Sequence, residues 1–470
     1  MRSYDVIIIG SGIGGTGVGA LLAYKGLKIL LLEKHAFIGG RCSSYKKEGF
    51  TVSSYVHAFS SSDKGALGEI LRKIEMPDEI DWVQQSIAPL NFKGTEINIP
   101  VTSDIKKFLE VVKQMPIPPE ELDDLLKVNM SMVSLSLKKL RALDNIDIRS
   151  WLSQYTSNKF IHTMMAFLSG ASFVIPYYEA STSEYIRIIR NMITAGHGGY
   201  PRGDCIAIPQ AYCRGIEKYK GTIRLDSGVQ RILVENNEII GVELINGEVI
   251  KAKIIISNAG IKNTVLNLIG EKHFDKNYVD YVKQLKYSWS AIVLKIALDK
   301  KITDKNAFIY FPTDNPTEYF RQIEKEGQIP ESLFLWVVIP SNLDPSLAPP
   351  GKQLICCGSP LPYSKQEDWK KWLDQCYETL VNLIPDIPKH QLWIDTVTPT
   401  DIERMVGEQG AVIGIAQTTD QVGEKRPPIK SPLKGLYFVG AEAGGWGIGT
   451  ELAANSALEC AKIVLNELKM

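Results

Sequence analysis

Residues 7–15 read IIIGSGIGG, an apolar run that ends abruptly in glycine and serine. The segment 4–9 predicts a buried strand, and the following residues, TGVGALLAYKGLKILLLE, predict a helix and then a second apolar strand. This βαβ unit contains the pattern GxGxxG at Gly10, Gly12 and Gly15. A lone GxGxxG is weakly specific, but this one follows a strand and opens a helix. We therefore predict that its backbone contacts the pyrophosphate of a dinucleotide.

The three glycines have different tasks in such a loop. Gly10 permits the tight turn, Gly12 lets the phosphates approach the main chain, and Gly15 lets the helix pack closely on the strand. The helix N-terminus, where Ile13 and Gly14 lie, offers free N–H groups and a partial positive charge to the anion. These five residues are the first cofactor-binding candidates.

An acidic residue stands where the second strand ends. Glu33 follows Gly10 by 23 residues, close to the spacing at which a carboxylate accepts hydrogen bonds from the ribose hydroxyls of the adenosine half. Its charge would repel a 2′-phosphate, which argues against an NADP-type cofactor in this site. Lys34 comes next and joins the candidates.

The composition argues against several other functions. Lys plus Arg and Asp plus Glu both number 53, and nothing resembles a nucleic-acid module, so we expect no nucleic-acid partner. The 7 Cys are scattered and show no CxxC spacing, which indicates reduced, buried thiols. The 6 His show neither HxxxH nor HxH spacing, so we expect no metal site.

The sequence does not indicate a targeting or membrane-spanning segment. The N-terminus, MRSYDVIIIG, already reads as a strand and leaves no room for a signal peptide. No apolar segment reaches the roughly 18 residues of a membrane span. We expect a cytoplasmic protein and leave contact with a membrane surface open.

Several further segments carry a resemblance to a known family. The GG-R loop Gly39-Gly40-Arg41 trails Glu33 by a few residues. Near the other end, GLYFVGAEAGGWGIGTELAANSA (435–457) predicts a strand, a glycine-rich turn and a helix that begins at about Thr450. The remaining similar segments are GFTVSSYVHAF (49–59), GGYPRGDCIAIPQAY (198–212), RLDSGVQRILVENNEIIGVELINGEVIKAKIIISNAG (224–260) and TVTPTDIERMVGEQGAVIG (396–414).

In order and spacing, these segments resemble the phytoene desaturase-like branch of the FAD-dependent amine oxidase superfamily, which includes carotenoid isomerases and retinol saturases. The resemblance implies noncovalent FAD, with Arg41 along its pyrophosphate and ribitol, the main chain near Val229 at the adenine and Glu442 on the ribitol. It also implies that the last helix points its N-terminus at the flavin pyrimidine; for Glu451, mere capping of the helix dipole stays open. The implied cofactor-binding residues are Gly40, Arg41, Val229, Ala259, Gly440, Glu442, Gly449, Thr450, Glu451 and Leu452.

Three positions depart from the pattern of this branch. Ser53 stands where the branch usually has Asp, Tyr55 where it has Gly, and Asp204 where it has the second Gly of Y-P-x-G-G. The catalytic candidates are His57, which the pattern places near the flavin, Tyr55, which crowds the flavin side, and Trp446, which could form a flat wall beside the ring. A purely structural role for His57, and simple packing of Trp446 in its turn, stay open.

The fold class that we predict is α/β. The resemblance implies a glutathione-reductase-like FAD-binding Rossmann domain, which is discontinuous because its motifs lie at both ends of the chain, with a mixed-sheet substrate domain and a helical subdomain. We assign residues 1–100, 199–265 and 430–470 to the FAD domain, 101–198 to a helical cap that could face a membrane, and 266–429 to the mixed-sheet domain.

Local patterns predict elements within these domains. Residues 222–260 read as a β-meander with turns at Asn236-Asn237 and Asn246-Gly247. An apolar stripe from Ile105 to Met115 predicts one helix, and Pro118-Pro119 opens another, although the alternation in MSMVSLSL (130–137) leaves a strand open there. Further strands are predicted at 289–298, 332–340, 352–360 and 391–397, and a helix at 365–384.

We expect an oxidoreductase that exchanges hydride between flavin N5 and a C–C bond of an apolar, isoprenoid-like substrate, as a desaturase, saturase or isomerase. No second GxGxxG-bearing βαβ unit occurs, so electrons must pass to or from an external partner such as a quinone, oxygen or a redox protein. Two alternatives stay open. One is a flavin amine oxidase or protoporphyrinogen-type oxidase, and the other is a non-catalytic prenyl-chain carrier resembling the Rab GDP-dissociation inhibitors.

Overall fold

The glycine-rich loop follows the central strand of a five-stranded parallel sheet in the computed structural model, which describes residues 4–85, 88–92, 94–98, 104–113, 121–364 and 368–470. We number strands and helices in chain order. From edge to edge the sheet consists of β19 (Leu436–Phe438), β13 (Ile254–Ser257), β1 (Val6–Ile9), β2 (Ile29–Leu32) and β9 (Thr222–Arg224). Because strands from both ends of the chain pair here, the FAD-binding domain is discontinuous, as predicted.

Both faces of this sheet are buried. Alternate residues of β1 pack against α1 (Ile13–Tyr24) and α16 (Gly449–Leu468), and the others pack against a small three-stranded sheet. A strand that is buried on both sides is apolar throughout, which explains the unbroken run that opens the glycine-rich motif.

The small sheet is the centre of the predicted meander. Its strands are β10 (Val229–Glu235), β11 (Glu238–Leu244) and β12 (Val249–Lys251), and they are antiparallel. The turns fall at Asn236-Asn237 and Asn246-Gly247, as the sequence predicted. The meander is shorter than predicted, because β9 and β13 at its ends pair in the five-stranded sheet instead.

A seven-stranded mixed sheet forms the floor of the second region. Its order is β18 (Gln391–Val397), β14 (Ser290–Leu298), β17 (Gln353–Leu361), β16 (Leu335–Val338), β15 (Ala307–Phe311), β6 (Leu90–Phe92) and β7 (Thr95–Ile97). Only the β15–β6 pair is parallel among its described pairs. The four predicted strands β14, β16, β17 and β18 are present, and β15 is an addition. β6 and β7 belong to this sheet, although our boundary assigned residues 1–100 to the FAD domain.

Two separate antiparallel pairs of strands complete the sheets of the described residues. The first joins β3 (Ser44–Lys47) to β4 (Phe50–Ser53), and the second joins β5 (Trp82–Gln85) to β8 (Gly198–Pro201). The second pair links the start of the chain to the segment that follows the helical subdomain.

Helices dominate the segment between β7 and β8. They are α3 (Ile105–Val112), α4 (Leu122–Ser134), α5 (Leu137–Arg141), α6 (Ile148–Leu152), α7 (Lys159–Phe173) and α8 (Thr182–Ala195). The strand alternative at 130–137 is wrong, because Met130 and Val133 lie on the exposed surface of α4, and Ser136 caps α5 by accepting from the Lys139 N–H. Met115 and Pro118-Pro119 lie outside the described residues.

The other helices cover the two large sheets. They are α2 (Ala66–Lys73), α9 (Ala207–Lys218), α10 (Lys276–Gln284), α11 (Pro316–Glu326), α12 (Pro340–Leu343), α13 (Trp369–Leu383), α14 (Ile387–His390) and α15 (Pro399–Val406). In the part of the chain that the structure describes, no helix is both long enough and apolar enough to cross a membrane. All seven cysteines are buried and unbridged, as the sequence predicted.

Candidate active site

A cavity of ≈ 580 Å³ runs from the glycine-rich loop to the mixed sheet and the helical subdomain. Its walls combine segments that are far apart in the sequence, because the loops after β1, β2, β13 and β19 meet at one edge of the parallel sheet. The lining includes these predicted residues: Gly10, Gly12, Ile13, Gly14, Glu33, Lys34, Gly40, Arg41, Tyr55, His57, Val229, Ala259, Gly440, Glu442, Gly449, Thr450 and Glu451.

Neighbouring atoms leave no room for side chains at the glycines of the loop after β1. Gly12 is the N-cap of α1 and has no side chain with which to occupy the first N–H groups of that helix. A Cβ at Gly12 would lie 2.7 Å from the Asn258 amide nitrogen, and one at Gly15 would collide with the carbonyl oxygen of Gly10. Gly15 does not line the cavity. Its task is the close approach of helix and strand, as the sequence analysis proposed.

Glu33 lies at the end of β2 beside this loop. Its Oε2 accepts hydrogen bonds from the Ser11 backbone N–H at 2.9 Å and from the Ser11 hydroxyl at 2.6 Å. Its Oε1 accepts from the His35 N–H at 3.0 Å. These bonds hold the carboxylate rigidly at the cavity wall, where a ribose hydroxyl can approach it.

Arg41 lines the cavity and carries a charge that neighbouring groups hold in place. Its guanidinium forms an ion pair with Glu408 at 2.5 Å and donates two hydrogen bonds to the Ala411 carbonyl oxygen, at 2.8 and 3.2 Å. Burial works to lower the pKa of Arg41, but Glu408, together with Glu442 and Tyr55, raises it above its usual value. The side chain therefore ties the GG-R loop to the segment that follows α15.

Glu442 is the best evidence for a missing polar partner. Its Oε2 accepts from the Ile261 N–H at 2.7 Å. Its Oε1 is buried and receives no hydrogen bond from a donor among the described residues, while the Glu408 side chain lies within hydrogen-bond reach of the same carboxyl group. Burial, and next the neighbouring carboxylate of Glu408, raise the pKa of Glu442 well above its usual range. A buried oxygen without a partner is costly, and a ligand hydroxyl in the cavity would satisfy it.

The N-terminus of α16 also faces the cavity. Ile448 precedes this helix and has no polar side chain for its first N–H groups. Glu451, in the first turn, lines the cavity, and its Oε2 accepts from the Ala66 N–H at 3.0 Å at the start of α2. Burial raises the pKa of Glu451 to about 7. Glu451 therefore bonds the first N–H of α2, and α16 itself has no side-chain cap.

Tyr55 and His57, the two aromatic candidates from the segment after β4, both line the cavity. The Tyr55 hydroxyl donates to the Met405 sulfur at 3.1 Å, and burial raises the pKa of this tyrosine to about 12. The His57 Nε2 lies 3.0 Å from the Arg41 carbonyl oxygen. Burial works to lower the pKa of His57, but Cys205, Asp204 and the Arg41 carbonyl together raise it above its usual value.

Two predicted residues do not reach the cavity. Trp446 is 40% exposed and lies outside the lining, so it cannot form the expected wall. The positive φ angles of Gly444, Gly445 and Gly447 set the path of the turn on which it lies. Leu452 is fully buried, also outside the lining, and its N–H bonds to the Ile448 carbonyl within α16.

The sequence analysis missed several residues of the site. His35 and Met405 line the cavity, and the His35 Nε2 lies 3.2 Å from the Met405 carbonyl oxygen. Glu408 and Asn258 were inside quoted motifs but were not singled out. Asn258 fills the space between Gly12 and Gly440, where a Cβ on Gly440 would lie 2.5 Å from its side-chain oxygen. Its position after β13, at the same sheet edge as the glycine loop, is the signal that could have revealed it.

The arrangement suits a dinucleotide with a polar linker. Two helix N-termini without side-chain caps, α1 and α16, open on one cavity and offer N–H groups to anionic or carbonyl oxygens. Around them stand a ribose-type acid, Glu33, and the unsatisfied oxygen of Glu442. The residues present therefore fit FAD, with the first helix for its pyrophosphate and the last for its flavin.

These features define a nucleotide-binding flavoprotein of the α/β class. The chain belongs to the flavin containing amine oxidoreductase family, whose model matches residues 19–465. It is an FAD-dependent oxidoreductase, and its relatives place it near the carotenoid desaturase-like branch that the sequence analysis indicated.

Two curated relatives cover nearly the whole chain. A chloroplastic prolycopene isomerase of Daucus carota is 26% identical, over 99% of this chain and 81% of its own. An all-trans-retinol 13,14-reductase of Danio rerio is 25% identical, over 98% of this chain and 86% of its own. Among solved structures, an oxidoreductase of Methanosarcina mazei matches with a TM-score of 0.75 at 21% identity, covering 97% of this chain and 100% of its own. That structural similarity concerns the fold.

Proposed function

We propose that this protein acts at a C–C bond of an apolar, isoprenoid-like substrate, as a desaturase, saturase or isomerase. The observation that carries the proposal is the far end of the cavity, which we call the apolar arm. Among the described residues that line this arm, none bears a charged side chain. They include Leu90, Leu168, Ala171, Val174, Tyr185, Ile188, Ile189, Met192, Ala291, Val293, Ala307, Ile309, Phe334, Trp336 and Pro360.

The apolar arm should bind an apolar ligand more tightly than a charged one. Burying apolar surface contributes about 25 cal/mol per Å², so a longer apolar chain gains more from this wall. An ammonium group would lose its hydration there and find no carboxylate among the described lining residues of the arm. The arm therefore supports an isoprenoid-like ligand over the amine that the family's description suggests.

The chemistry divides between cofactor and protein. FAD, when bound, supplies hydride exchange at its N5. The residues of the chain hold the substrate and exclude water from it. Because the pKa of Tyr55 is raised to about 12, its hydroxyl stays protonated at neutral pH and acts as a hydrogen-bond donor rather than a base. We assign it to positioning, beside His57.

The two curated relatives suggest different net reactions. One is named an isomerase and the other a reductase. Isomerisation requires no net electron transfer, whereas reduction requires an electron donor. We propose that an external partner such as a quinone, oxygen or a redox protein sets the redox state of the flavin.

Anaerobic ligand titrations test this function. Isoprenoid or enone lipids are mixed with the oxidised and with the reduced enzyme, and the flavin spectrum is recorded. We expect lipids to perturb the spectrum, affinity to rise with chain length, and salt to have little effect. If primary or secondary amines alone bleach the flavin while lipids leave it unchanged, the enzyme is an amine oxidase and the proposal is wrong.

A pair of leucine variants localises the lipid site. Leu168, on α7, lines the apolar arm, whereas Leu126, on α4, is also half-buried but lies outside the lining. Leu168→Trp should fill the arm and weaken lipid binding at least tenfold, with FAD content unchanged. Leu126→Trp is the matched control and should bind lipid as the unmodified protein does. Equal effects of the two variants would place the lipid elsewhere.

We further propose that the helical subdomain contacts an anionic membrane surface, from which an apolar substrate can enter. Met130, Val133 and Leu137 are exposed apolar side chains at the end of α4 and the start of α5. Lys138 and Lys139 lie beside them and are also exposed. Apolar side chains next to cations suit the headgroup region of an anionic bilayer.

A further inference from the structure

Three side chains that can ligate a metal meet beside the cavity, although they are far apart in the sequence. Cys42 ends the 3-10 turn Gly40–Cys42, His57 follows β4, and Cys205 lies in the turn before α9. Their ligand atoms all lie within 4.8 Å of one another. Spacing along the chain could not reveal this cluster, and the expectation of no metal site rested on spacing alone.

The orientation of the His57 ring suits a ligand. Its Nε2 lies 3.0 Å from the Arg41 carbonyl oxygen, and since a carbonyl only accepts, Nε2 carries the proton and donates. In the neutral tautomer that this bond selects, the lone pair is on Nδ1, and the Cys205 side chain hydrogen-bonds to the same imidazole. A backbone carbonyl that holds the second N–H of a histidine is the usual support of a metal-binding imidazole.

A buried polar network positions Cys205. The preceding residue, Asp204, is buried and has a φ of 77°. Its carboxylate accepts hydrogen bonds from the hydroxyls of Ser44 at 2.5 Å, Ser53 at 2.5 Å and Tyr200 at 2.6 Å. These three bonds hold the turn that carries Cys205.

We propose that Cys42, His57 and Cys205 bind a soft divalent cation of the Zn²⁺ class, with a fourth coordination position open to the cavity. Two thiolates and one imidazole are a ligand set that Zn²⁺ prefers. The two thiolates balance the charge of the cation, so the buried complex is neutral, and binding releases the two thiol protons. Cys42 and His57 line the cavity, so the open position faces it.

The ligand atoms of Cys42, His57 and Cys205 need to move only slightly to coordinate one Zn²⁺. Sulfur atoms on a tetrahedral Zn²⁺ are about 3.8 Å apart, given Zn–S bonds of about 2.3 Å. Rotation about the cysteine side-chain bonds can close the present separations of at most 4.8 Å to that value. The site does not depend on which substrate occupies the apolar arm.

Metal titration of the FAD-loaded protein tests this site. The protein is reduced, treated with a chelator and desalted, and Zn²⁺ is then added in competition with a chromophoric chelator. We expect one Zn²⁺ per chain, and X-ray absorption at the zinc edge should show two sulfur ligands. Cys42→Ser and Cys205→Ser should each weaken binding by more than about 100-fold, since even changes outside the ligand set cost 10–100-fold.

Cys213 provides the matched control, because it is also buried, lies on α9 and is not part of the cluster. Cys213→Ser should bind Zn²⁺ as the unmodified protein does, and circular dichroism with FAD content checks that every variant is folded. If a serine variant of the cluster fails to fold, His57→Ala is measured in its place. The proposal is overturned if the fully reduced protein binds no stoichiometric Zn²⁺, or if the ligand variants bind it as the control does. Loss of both thiols to a Cys42–Cys205 disulfide in the absence of reductant, without zinc binding after reduction, would show a redox pair instead of a metal site.

Discussion

Removing the Glu33 carboxylate should weaken FAD binding without changing the chemistry at the flavin. The side chain is 6% exposed, and its two oxygens are oriented by Ser11 and His35. Such a carboxylate does not need to reorganise when a ribose hydroxyl donates to it. Hydrogen bonds to charged groups contribute about 1.5–3 kcal/mol. At about 1.4 kcal/mol per tenfold, Glu33→Ala should raise the dissociation constant of FAD about 10- to 150-fold.

The assay must separate two effects of Glu33→Ala: the loss of a contact with the cofactor and the weakening of the glycine-rich loop. Glu33 also accepts from the Ser11 N–H and hydroxyl, so the variant loosens the glycine-rich loop in the apoprotein. We therefore measure the FAD dissociation constant by quenching of flavin fluorescence, and the melting temperature with and without saturating FAD. The gain in melting temperature on adding FAD should be smaller in the variant.

The control is Glu69→Ala, at a half-exposed acid on α2 whose pairing with Lys73 is on the surface. It should leave FAD affinity unchanged. An unaltered dissociation constant in Glu33→Ala, together with a lower melting temperature of the apoprotein alone, would show that Glu33 serves the loop and does not contact the ribose.

Three further outcomes are expected. Burial raises the pKa of Glu451 to about 7, so the folded state holds this proton more tightly than the unfolded state does. The free energy of unfolding should be largest below about pH 4.5 and should fall by about 3 kcal/mol as the pH rises to about 7. Glu451→Gln should flatten this part of the melting-temperature profile, and an unchanged slope would contradict the shift. Acid precipitation should release free FAD into the supernatant, whereas flavin in the pellet would show a covalent bond. Leu137→Asp should reduce flotation with anionic vesicles at least tenfold and leave flotation with neutral vesicles unchanged; equal flotation of variant and unmodified protein would exclude this surface.

The nucleotide half of the site was predictable because its signals are local. A turn that must bring backbone to a pyrophosphate needs glycine whatever the rest of the fold does, and Gly10 indeed has a φ of 96°. Glu33 follows from the length of one βαβ unit, which leaves the carboxylate beside the loop that it then bonds. Such features depend on about thirty neighbouring residues and on the period of an apolar pattern.

The remaining contacts depend on how distant segments close on one another. Arg41 and Glu408 are 367 residues apart, and neither sequence context predicts a buried ion pair. The strands β6 and β7 carry no local sign that they add to the mixed sheet rather than to the FAD domain. For Trp446, the sequence predicted a contact that the structure does not have. An aromatic residue near α16 was expected at the cavity, but a run of glycines with positive φ leaves its indole at the surface.

The ionisable side chains of the cavity lie at one end, and this arrangement separates the affinity for FAD from the affinity for substrate. Glu33, Arg41, Glu408, Glu442 and Glu451 all line the nucleotide end, whereas the described lining of the apolar arm bears no charge. FAD binding should therefore respond to substitutions that change charge or hydrogen bonding, and substrate binding should respond to changes in apolar area. Because the ionisable residues named above are not among the residues of the apolar arm, one nucleotide end can serve any apolar chain that fits the arm. For that reason family membership establishes the cofactor, while the substrate has to be found by titrating the arm itself.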